Sequence, residues 1–454
     1  MSVSGLTASV EKMRADGVAE AAIATFGELY QRLVAGETGL IAESDIAPVE
    51  ELPDAEALDQ GSEEVLDRAV VVKLNGGLGT SMGLDGPKSL LEVKDGLTFL
   101  DITARQVLAL RERHRARLPL VLMNSFSTRE PSLERLSRYP ELAADVPADF
   151  LQNKEPKLLA DTLEPVRWPA DPTLEWAPPG HGDLYTALAG SGTLHRLLER
   201  GYRYAFVSNA DNLGAVLDPR ILGWFARQGL PFLMEAADRT EADRKGGHLA
   251  RRRDGGLELR EIAQTPDDDV AAFQDVGRHR FFNTNNLWLD LEALARVMAE
   301  RGGVLGLPMI VNRKTVDPRD PSSPEVIQLE TAMGAAIGVF ERAGALRVPR
   351  RRFAPVKTTN DLLALRSDAY VLTDESHVVP APGRDAPPVV DLDERHFRRV
   401  GDFDARFPAG APSLLRCRSL TVRGDVTFGA GVAVRGDARV EGPLRVADGA
   451  VLEG

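Results

Sequence analysis

The chain holds 454 residues, 43% of them apolar and 27% charged, with a formal net charge of −13 and a single cysteine. That length accommodates two or three domains and a sizeable core. The acidic balance argues against a general nucleic-acid binder, and the lone Cys417 excludes an intrachain disulfide framework and fits a reducing compartment.

The polar N-terminus has no signal-peptide core, and no stretch is apolar for long enough to span a bilayer. A cytoplasmic protein with no membrane partner is expected. Residues 1 to about 60 read as helices that end in an acidic linker, "AESDIAPVEELPDAEALDQGSEE". From Ala69 the texture changes. "AVVVKL", "LPLVLMNSF", "YRYAFVSN" and "PFLMEAA" are short apolar runs of the kind buried in parallel sheets. Between the first two lies a helix, with Thr98 and Asp101 placed for a capping box and Leu100, Ala104, Val107 and Leu108 on one face. This alternation predicts an α/β domain with a mostly parallel mixed sheet, whose ligands sit at the carboxyl ends of its strands.

"VVKLNGGLGTSMGLDGPKSLLEV" meets that edge first. It fits neither common phosphate template. From Gly77 and Gly79 the third Rossmann position is Met82, and Pro87 separates Gly86 from Lys88 where a Walker loop has them adjacent. Its glycines would let backbone N–H groups approach phosphate oxygens, with Lys88 as a mobile charge; a tight strand-to-helix turn with a surface lysine is the alternative. In "WAPPGHGDLYTAL", rigid prolines and permissive glycines shape a loop around His181, which suits a neutral hydrogen-bond donor. In "FVSNADNLGA", Asp211 follows a strand where a carboxylate could hold Mg²⁺ against phosphates, or simply form an Asx turn. "FFNTNNLWLDL" gathers Asn283, Asn285 and Asn286, amides that suit sugar hydroxyls. "KGGHL" offers Lys245 and "RFAPVKTTNDLLAL" offers Lys357 before a helix cap.

Towards the C-terminus, Leu420, Val426, Val432, Ala438, Leu444 and Ala450 fall every sixth residue. Val422, Phe428, Val434, Val440, Val446 and Leu452 repeat the period two places later. Twelve apolar positions in phase predict a hexapeptide β-helix, left-handed, serving assembly or stability rather than chemistry.

Taken in order, "KLNGGLGTSMGLDGPKSLLEV", "LMNSFSTRE", "PPGHGDLY", "FVSNADNLGA", "EIAQTP", "FFNTNNLWLDL", "VIQLETAMGAAI" and "PVKTTNDLL" resemble the eukaryotic-type UTP–glucose-1-phosphate uridylyltransferases, or UDP-glucose pyrophosphorylases. The resemblance covers nearly the whole chain. It implies a Rossmann-like nucleotidyltransferase fold, and three parts: a helical segment and linker over 1–65, a catalytic domain over 66–370, and a linker with the β-helix over 371–454. It also implies site residues. Leu74, Asn75, Gly76 and Gly77 would line the uridine nucleotide, and Lys88 would meet its phosphates. Gln152, in "DFLQNKEPKL", would recognise uracil, and Gly180 would touch the base. His181 and Asn209 would contact the nucleotide or the glucose phosphate. Asp211 would hold Mg²⁺, Asn285 the glucose hydroxyls, Lys245 the sugar phosphate and Lys357 the triphosphate. Lys88, Asp211 and Lys357 would be the charges that drive the reaction.

The implied reaction is in-line attack of glucose 1-phosphate on the α-phosphorus of UTP, giving UDP-glucose and pyrophosphate with no covalent enzyme nucleophile. Two departures stand out: "NKEPKLL" lacks the arginine that the family usually carries beside the proline, and "ADGAVLEG" stops short of the tail that makes end-to-end contacts in many relatives. A homo-oligomer is therefore left open. The rival readings are a uridylyltransferase for another sugar 1-phosphate, and a non-catalytic sugar-nucleotide-binding protein. Ser81, where the N-acetylhexosamine enzymes generally have arginine, favours glucose, and retention of Lys88, Asp211 and Lys357 argues for catalysis.

Overall fold

A computed structural model describes residues 2–59, 63–384 and 386–454. Two N-terminal helices, α1 (Ser2–Ala15) and α2 (Glu20–Val34), come first. Ile23, Phe26, Leu29 and Tyr30 recur at helical spacing on α2 and pack, with Met13, against Leu158, Met309, Ile327 and Leu329. The acidic segment that follows is docked onto the sheet. Its strand β1 (Ile46–Pro48) forms a sheet edge, and the Glu43 carboxylate accepts from Arg278 Nε at 2.7 Å and Arg260 Nη1 at 2.5 Å. Residues 60–62, within the expected linker, lie outside the described residues.

The large sheet then builds from β2 (Ala69–Asn75), β3 (Leu120–Asn124), β4 (Asp149–Leu151), β5 (Tyr204–Asn209), β6 (Phe232–Asp238), β7 (His248–Arg252) and β8 (Phe281–Asp290). Its order is β1-β7-β8-β5-β2-β3-β4, with β6 also on β8. β2, β3, β4 and β5 run parallel, while β8 is antiparallel to β5, β6 and β7. The sheet is thus mixed, and its parallel part lies on the side of the glycine-rich loop. The period of two along β2 sends Val70 and Val72 to one face and Ala69 and Val71 to the other.

Helices cover both faces. Leu184 and Leu188 of α5 (Asp183–Gly190) join Val70 and Val72, whereas α3 (Phe99–His114) contributes Leu100, Ala104 and Val107 to the opposite layer; α4 (Arg129–Leu136) follows β3. The capping box read at α3 is present, and the buried Asp101 also accepts from Arg135 Nε at 2.8 Å and Tyr139 at 2.9 Å. Burial would raise the Asp101 pKa, but these donors win and hold it down at about 2. Helix α6 (Pro219–Gln228) is bounded by local chemistry: the Asp218 side chain caps it, Pro219 opens it and Gly229 closes it at φ 59°.

The C-terminal strands stack in parallel, as the period of six requires. Leu420 lies opposite Ala438, Val426 opposite Leu444 and Ala433 opposite Val451, each pair 18 positions apart. One repeat of the stack is therefore three six-residue segments. Leu420, Val422, Val426, Phe428, Val432, Val434, Ala438, Val440 and Val446 are buried inside it, while Leu444 is 48% exposed.

This stack shares one apolar cluster with the region behind the glycine-rich loop: Met82, Val93, Phe99, Ile102 and Leu362 join Leu420, Val426 and Phe428. The chain just before the stack reaches the loop itself. A Cβ on Gly83, which sits at φ +73°, would lie 3.0 Å from the Arg399 side chain. The C-terminal region thus braces the glycine-rich loop from behind.

Candidate active site

The parallel register brings the carboxyl ends of β2, β3 and β5 side by side, with Asn75 opposite Asn124 and Leu74 opposite Asn209. The first N–H groups beyond β3 and β5 are engaged within the protein, Ser125 with Thr128 Oγ1 at 2.9 Å and Ala210 with Leu74 O at 3.0 Å, so the glycine-rich loop after β2 is the main chain to consider for a ligand at this edge. The side chains of the first loop divide the work. Leu74 packs against the core, and the buried Asn75 donates from Nδ2 to Asn124 Oδ1 at 2.7 Å and Ser132 Oγ at 2.8 Å. Asn75 therefore ties β2 to β3 and α4, leaving its backbone as the part that can meet a nucleotide. At Gly76 the Gln152 side chain lies against the bare backbone: a Cβ there would sit 2.2 Å from its Oε1 and push the glutamine tip aside. The Gln152 N–H is fixed to Asn124 O at 2.8 Å. Gly77 faces open space, and its carbonyl accepts from the Lys88 N–H at 3.2 Å.

Lys88 and Asp211, 123 positions apart, meet at this edge: Nζ lies 2.6 Å from Oδ2, with both side chains mostly buried. Asn209 ends β5 and its carbonyl accepts from Asn212 N–H. Asn212 is buried, and its Oδ1 accepts from Ala354 N–H at 2.9 Å, while a bridge sets Asn212 opposite Pro355. The segment carrying Lys357 thus runs beside the Asp211 loop. Lys357 is exposed, with Nζ 5.4 Å from the Phe353 ring centre. Thr358 and Asp361 form the cap of the helix α7 (Thr359–Arg366) that follows, which fixes the lysine backbone.

The "PPGHGD" turn closes over a second strand. Gly180 stands at φ +77°, and a Cβ there would lie 2.5 Å from Thr331 O. His181 Nδ1 accepts from Met333 N–H at 2.9 Å, so in the neutral ring the proton is on Nε2, free to donate. The ring edge meets solvent in the cleft, yet dense protein around it disfavours the charged form and lowers the pKa to about 4. The ring is therefore neutral near pH 7.

The asparagine cluster sits on a β-bulge. Pairing between β6 and β8 shifts at Glu235/Ala236, and Asn285 takes φ 58°, a left-handed value that only asparagine and a few other non-glycine residues tolerate. Asn283 and Asn285 brace each other, Nδ2 to Oδ1 at 2.8 Å and N–H to Oδ1 at 2.9 Å. Asn286 is buried and committed to Glu235, which leaves Asn285 as the half-exposed amide. Lys245 is exposed on the turn before β7; Gly247 O of that turn accepts from Asn283 N–H at 3.0 Å, so Lys245 belongs to the Asn285 side of the cleft.

Beneath these loops lies a buried charged network that the sequence reading did not single out. Glu235 is fully buried and accepts from Arg352 Nε at 2.7 Å, Arg352 Nη2 at 2.6 Å, Trp288 Nε1 at 2.9 Å and Asn286 Nδ2 at 3.0 Å. Lys73 donates to Ser208 Oγ at 2.7 Å and Ala215 O at 2.8 Å. Burial first, and the Arg352 charge second, lower its pKa from the ordinary 10.5 to about 7. The available signal was a charged residue inside an otherwise apolar run: Lys73 in "AVVVKLN" and Glu235 in "PFLMEAA".

Among the described residues, no group of three or more His, Cys, Asp and Glu side chains could hold a metal ion. Asp211 offers one hard oxygen. A single carboxylate fits an ion such as Mg²⁺ only when phosphates complete the coordination, the usual arrangement for that ion on nucleotides. Among the same residues, no helix is long and apolar enough to cross a membrane.

A sequence profile described as "UTP--glucose-1-phosphate uridylyltransferase" matches residues 23–435. The enzyme of that name from Solanum tuberosum is 41% identical over 414 residues, 90% of this chain and 84% of its own length. That from Hordeum vulgare is 39% identical over 467 residues, 99% and 96% of the two chains. Among solved structures, a variant of UDP-glucose pyrophosphorylase from Leishmania major in complex with UDP-glucose superimposes with a TM-score of 0.93 at 50% identity, covering 99% of this chain and 98% of that one. The Trypanosoma brucei protein gives 0.90 at 49%, with the same coverage. With a match of this length in sequence and in fold, the chain belongs to the UTP–glucose-1-phosphate uridylyltransferase family.

Proposed function

We propose that this chain makes UDP-glucose and pyrophosphate from UTP and glucose 1-phosphate, and that the cleft at the carboxyl edge of the sheet is where it does so. The observation that carries the assignment to this cleft is the meeting of Lys88 with Asp211 beside the Gly76–Gln152 contact. A base-reading amide, a glycine-rich backbone and a cation–carboxylate pair are what a nucleoside triphosphate needs along its length.

Gln152 pairs with the uracil edge through one donor and one acceptor, and Gly180 borders the base. Leu74, Asn75, Gly76 and Gly77 line the nucleotide with main chain. Asn209 and His181, through its Nε2–H, donate to the phosphates. Asn285 holds glucose hydroxyls and Lys245 the sugar phosphate. A phosphate oxygen of glucose 1-phosphate forms the new bond to the α-phosphorus of UTP as the bond to pyrophosphate breaks. No side chain has to become covalently attached, so catalysis rests on alignment and on charge placed where the oxygens become more negative. Lys88 exchanges the Asp211 carboxylate for phosphate, and Lys357 approaches the same group from the opposite segment. Asp211 would hold Mg²⁺ beside the triphosphate, and the ion would supply further positive charge there.

We read the chain as three parts, 1–65, 66–370 and 371–454, with the C-terminal stack a left-handed β-helix and the protein working in the cytoplasm. The test of function is pyrophosphate release from UTP with glucose 1-phosphate, galactose 1-phosphate and N-acetylglucosamine 1-phosphate in turn. Glucose 1-phosphate is expected to give the highest kcat/KM; preference for another sugar overturns the substrate, and no release from any overturns the reaction.

A further inference from the structure

The loop that carries Gln152 is held by a residue on the opposite loop. Asp183 is the first residue of α5 and is 4% exposed. Both oxygens of its carboxylate are spent on one neighbour: Oδ2 accepts from the Asn153 N–H at 2.6 Å and Oδ1 from Asn153 Nδ2 at 2.7 Å. Asn153 directly follows Gln152, whose own N–H is fixed to Asn124 O at 2.8 Å. The peptide on each side of Gln152 is therefore pinned, one to β3 and the other to Asp183. With both ends fixed, the glutamine side chain is directed over Gly76, the position with no Cβ to obstruct it.

We propose that Asp183 is a positioning residue that sets Gln152 for uracil and couples the base-reading loop to the turn of His181. The coupling is direct, because the Asp183 N–H donates to Gly180 O at 3.2 Å and so closes the turn that presents His181. This inference rests on the reading of Gln152 as the uracil-binding residue.

The chemistry of the contact explains why a carboxylate is there. Burying one is costly, and desolvation raises the Asp183 pKa to about 6 against the Asn153 donors that lower it. The two N–H donors are aimed at two different atoms of the side chain, so an acceptor is needed at both. Asparagine has one acceptor and one donor, so Asp183→Asn would set an N–H against an N–H and break half of the clamp. Glutamine at 152 would then sample several directions and pair with uracil in only some of them, a loss of preorganisation that appears in binding.

Steady-state kinetics on the full-length protein with UTP and with CTP test this, using Asp183→Asn, Asn153→Ala, Gln152→Ala and the Asp183→Asn/Gln152→Ala double variant. Asp183→Asn should raise KM for UTP about tenfold with kcat within about threefold, and should lower the preference for UTP over CTP. The double variant should be no worse than Gln152→Ala alone, because the clamp acts through that side chain. Unchanged KM and preference in Asp183→Asn, or additive losses in the double variant, would overturn the proposal. If Asp183→Asn does not fold, Asn153→Ala removes one of the same two bonds from the other side. It should raise KM for UTP about threefold, and wild-type KM and preference in that variant would overturn the proposal equally. Should Gln152→Ala itself keep the full preference for UTP, the reading of Gln152 fails and the proposal falls with it, whereas a lost preference in Gln152→Ala beside an unchanged Asp183→Asn overturns the positioning role alone.

Discussion

Under the cleft, Glu235 and Arg352 form a buried ion pair, the carboxylate fully enclosed and the arginine side chain 10% exposed, joined by Trp288 and Asn286. On the C-terminal stack, Arg435 and Glu453 also pair, one repeat apart, but with side chains 48% and 64% exposed. The contacts are chemically alike and differ in what surrounds them. A buried pair is worth little when made and much when broken, because breaking it strands a charge without solvent. An exposed pair is replaced by water at almost no loss. The cleft region thus carries polar contacts of high consequence inside its apolar layers, whereas this ion pair of the stack lies on its surface.

The largest effect should come from Glu235→Gln, which leaves the Arg352 guanidinium buried without its countercharge. We expect about 3–5 kcal/mol lost in a denaturant melt. A loss below about 1 kcal/mol would make the two regions equivalent and remove the contrast.

Lys357→Ala should come next. It should lower kcat by roughly 10²–10³ and change KM for UTP much less, if the ammonium meets charge that develops only in the transition state. Folding should be untouched, since the side chain is exposed and the helix cap is made by Thr358 and Asp361. A large rise in KM at constant kcat would instead make it a ground-state contact.

Lys73 sharpens the contrast through pH. Its folded pKa of about 7 lies below the ordinary 10.5, so between those values the unfolded chain binds a proton that the folded chain does not. Stability should therefore rise with pH across that window, and the gain should be lost as pH falls through about 7. Lys73→Met should flatten that slope in thermal melts, whatever its effect on absolute stability. The smallest effect should be that of Arg435→Ala, less than about 1 kcal/mol and weaker still at high salt; a loss like that of Glu235→Gln would show that the stack relies on its surface pairs.

The same contrast accounts for what could be read from the sequence. The stack repeats, so Leu420, Val426 and Val432 announce it by period alone. The capping box at Thr98 and Asp101 is equally local, and it forms. The cleft is assembled from pairs such as Lys88 with Asp211, 123 positions apart, which no local pattern encodes. Resemblance to a family named those residues, but not how they meet. The docking of Glu43 onto Arg260 and the bracing of Gly83 by Arg399 were hidden for the same reason: each joins segments that only the tertiary fold brings together.

In the reaction proposed above, the cleft transfers the uridylyl group directly, by placed charge and without a covalent intermediate. The stereochemical course at the α-phosphorus tests it in one measurement, using UTP with a single sulfur of known configuration on that phosphorus and glucose 1-phosphate as acceptor. One in-line displacement inverts the configuration in the UDP-glucose formed, and inversion is the result expected here. Retention would require two displacements, hence a nucleophile on the protein, and would contradict the account.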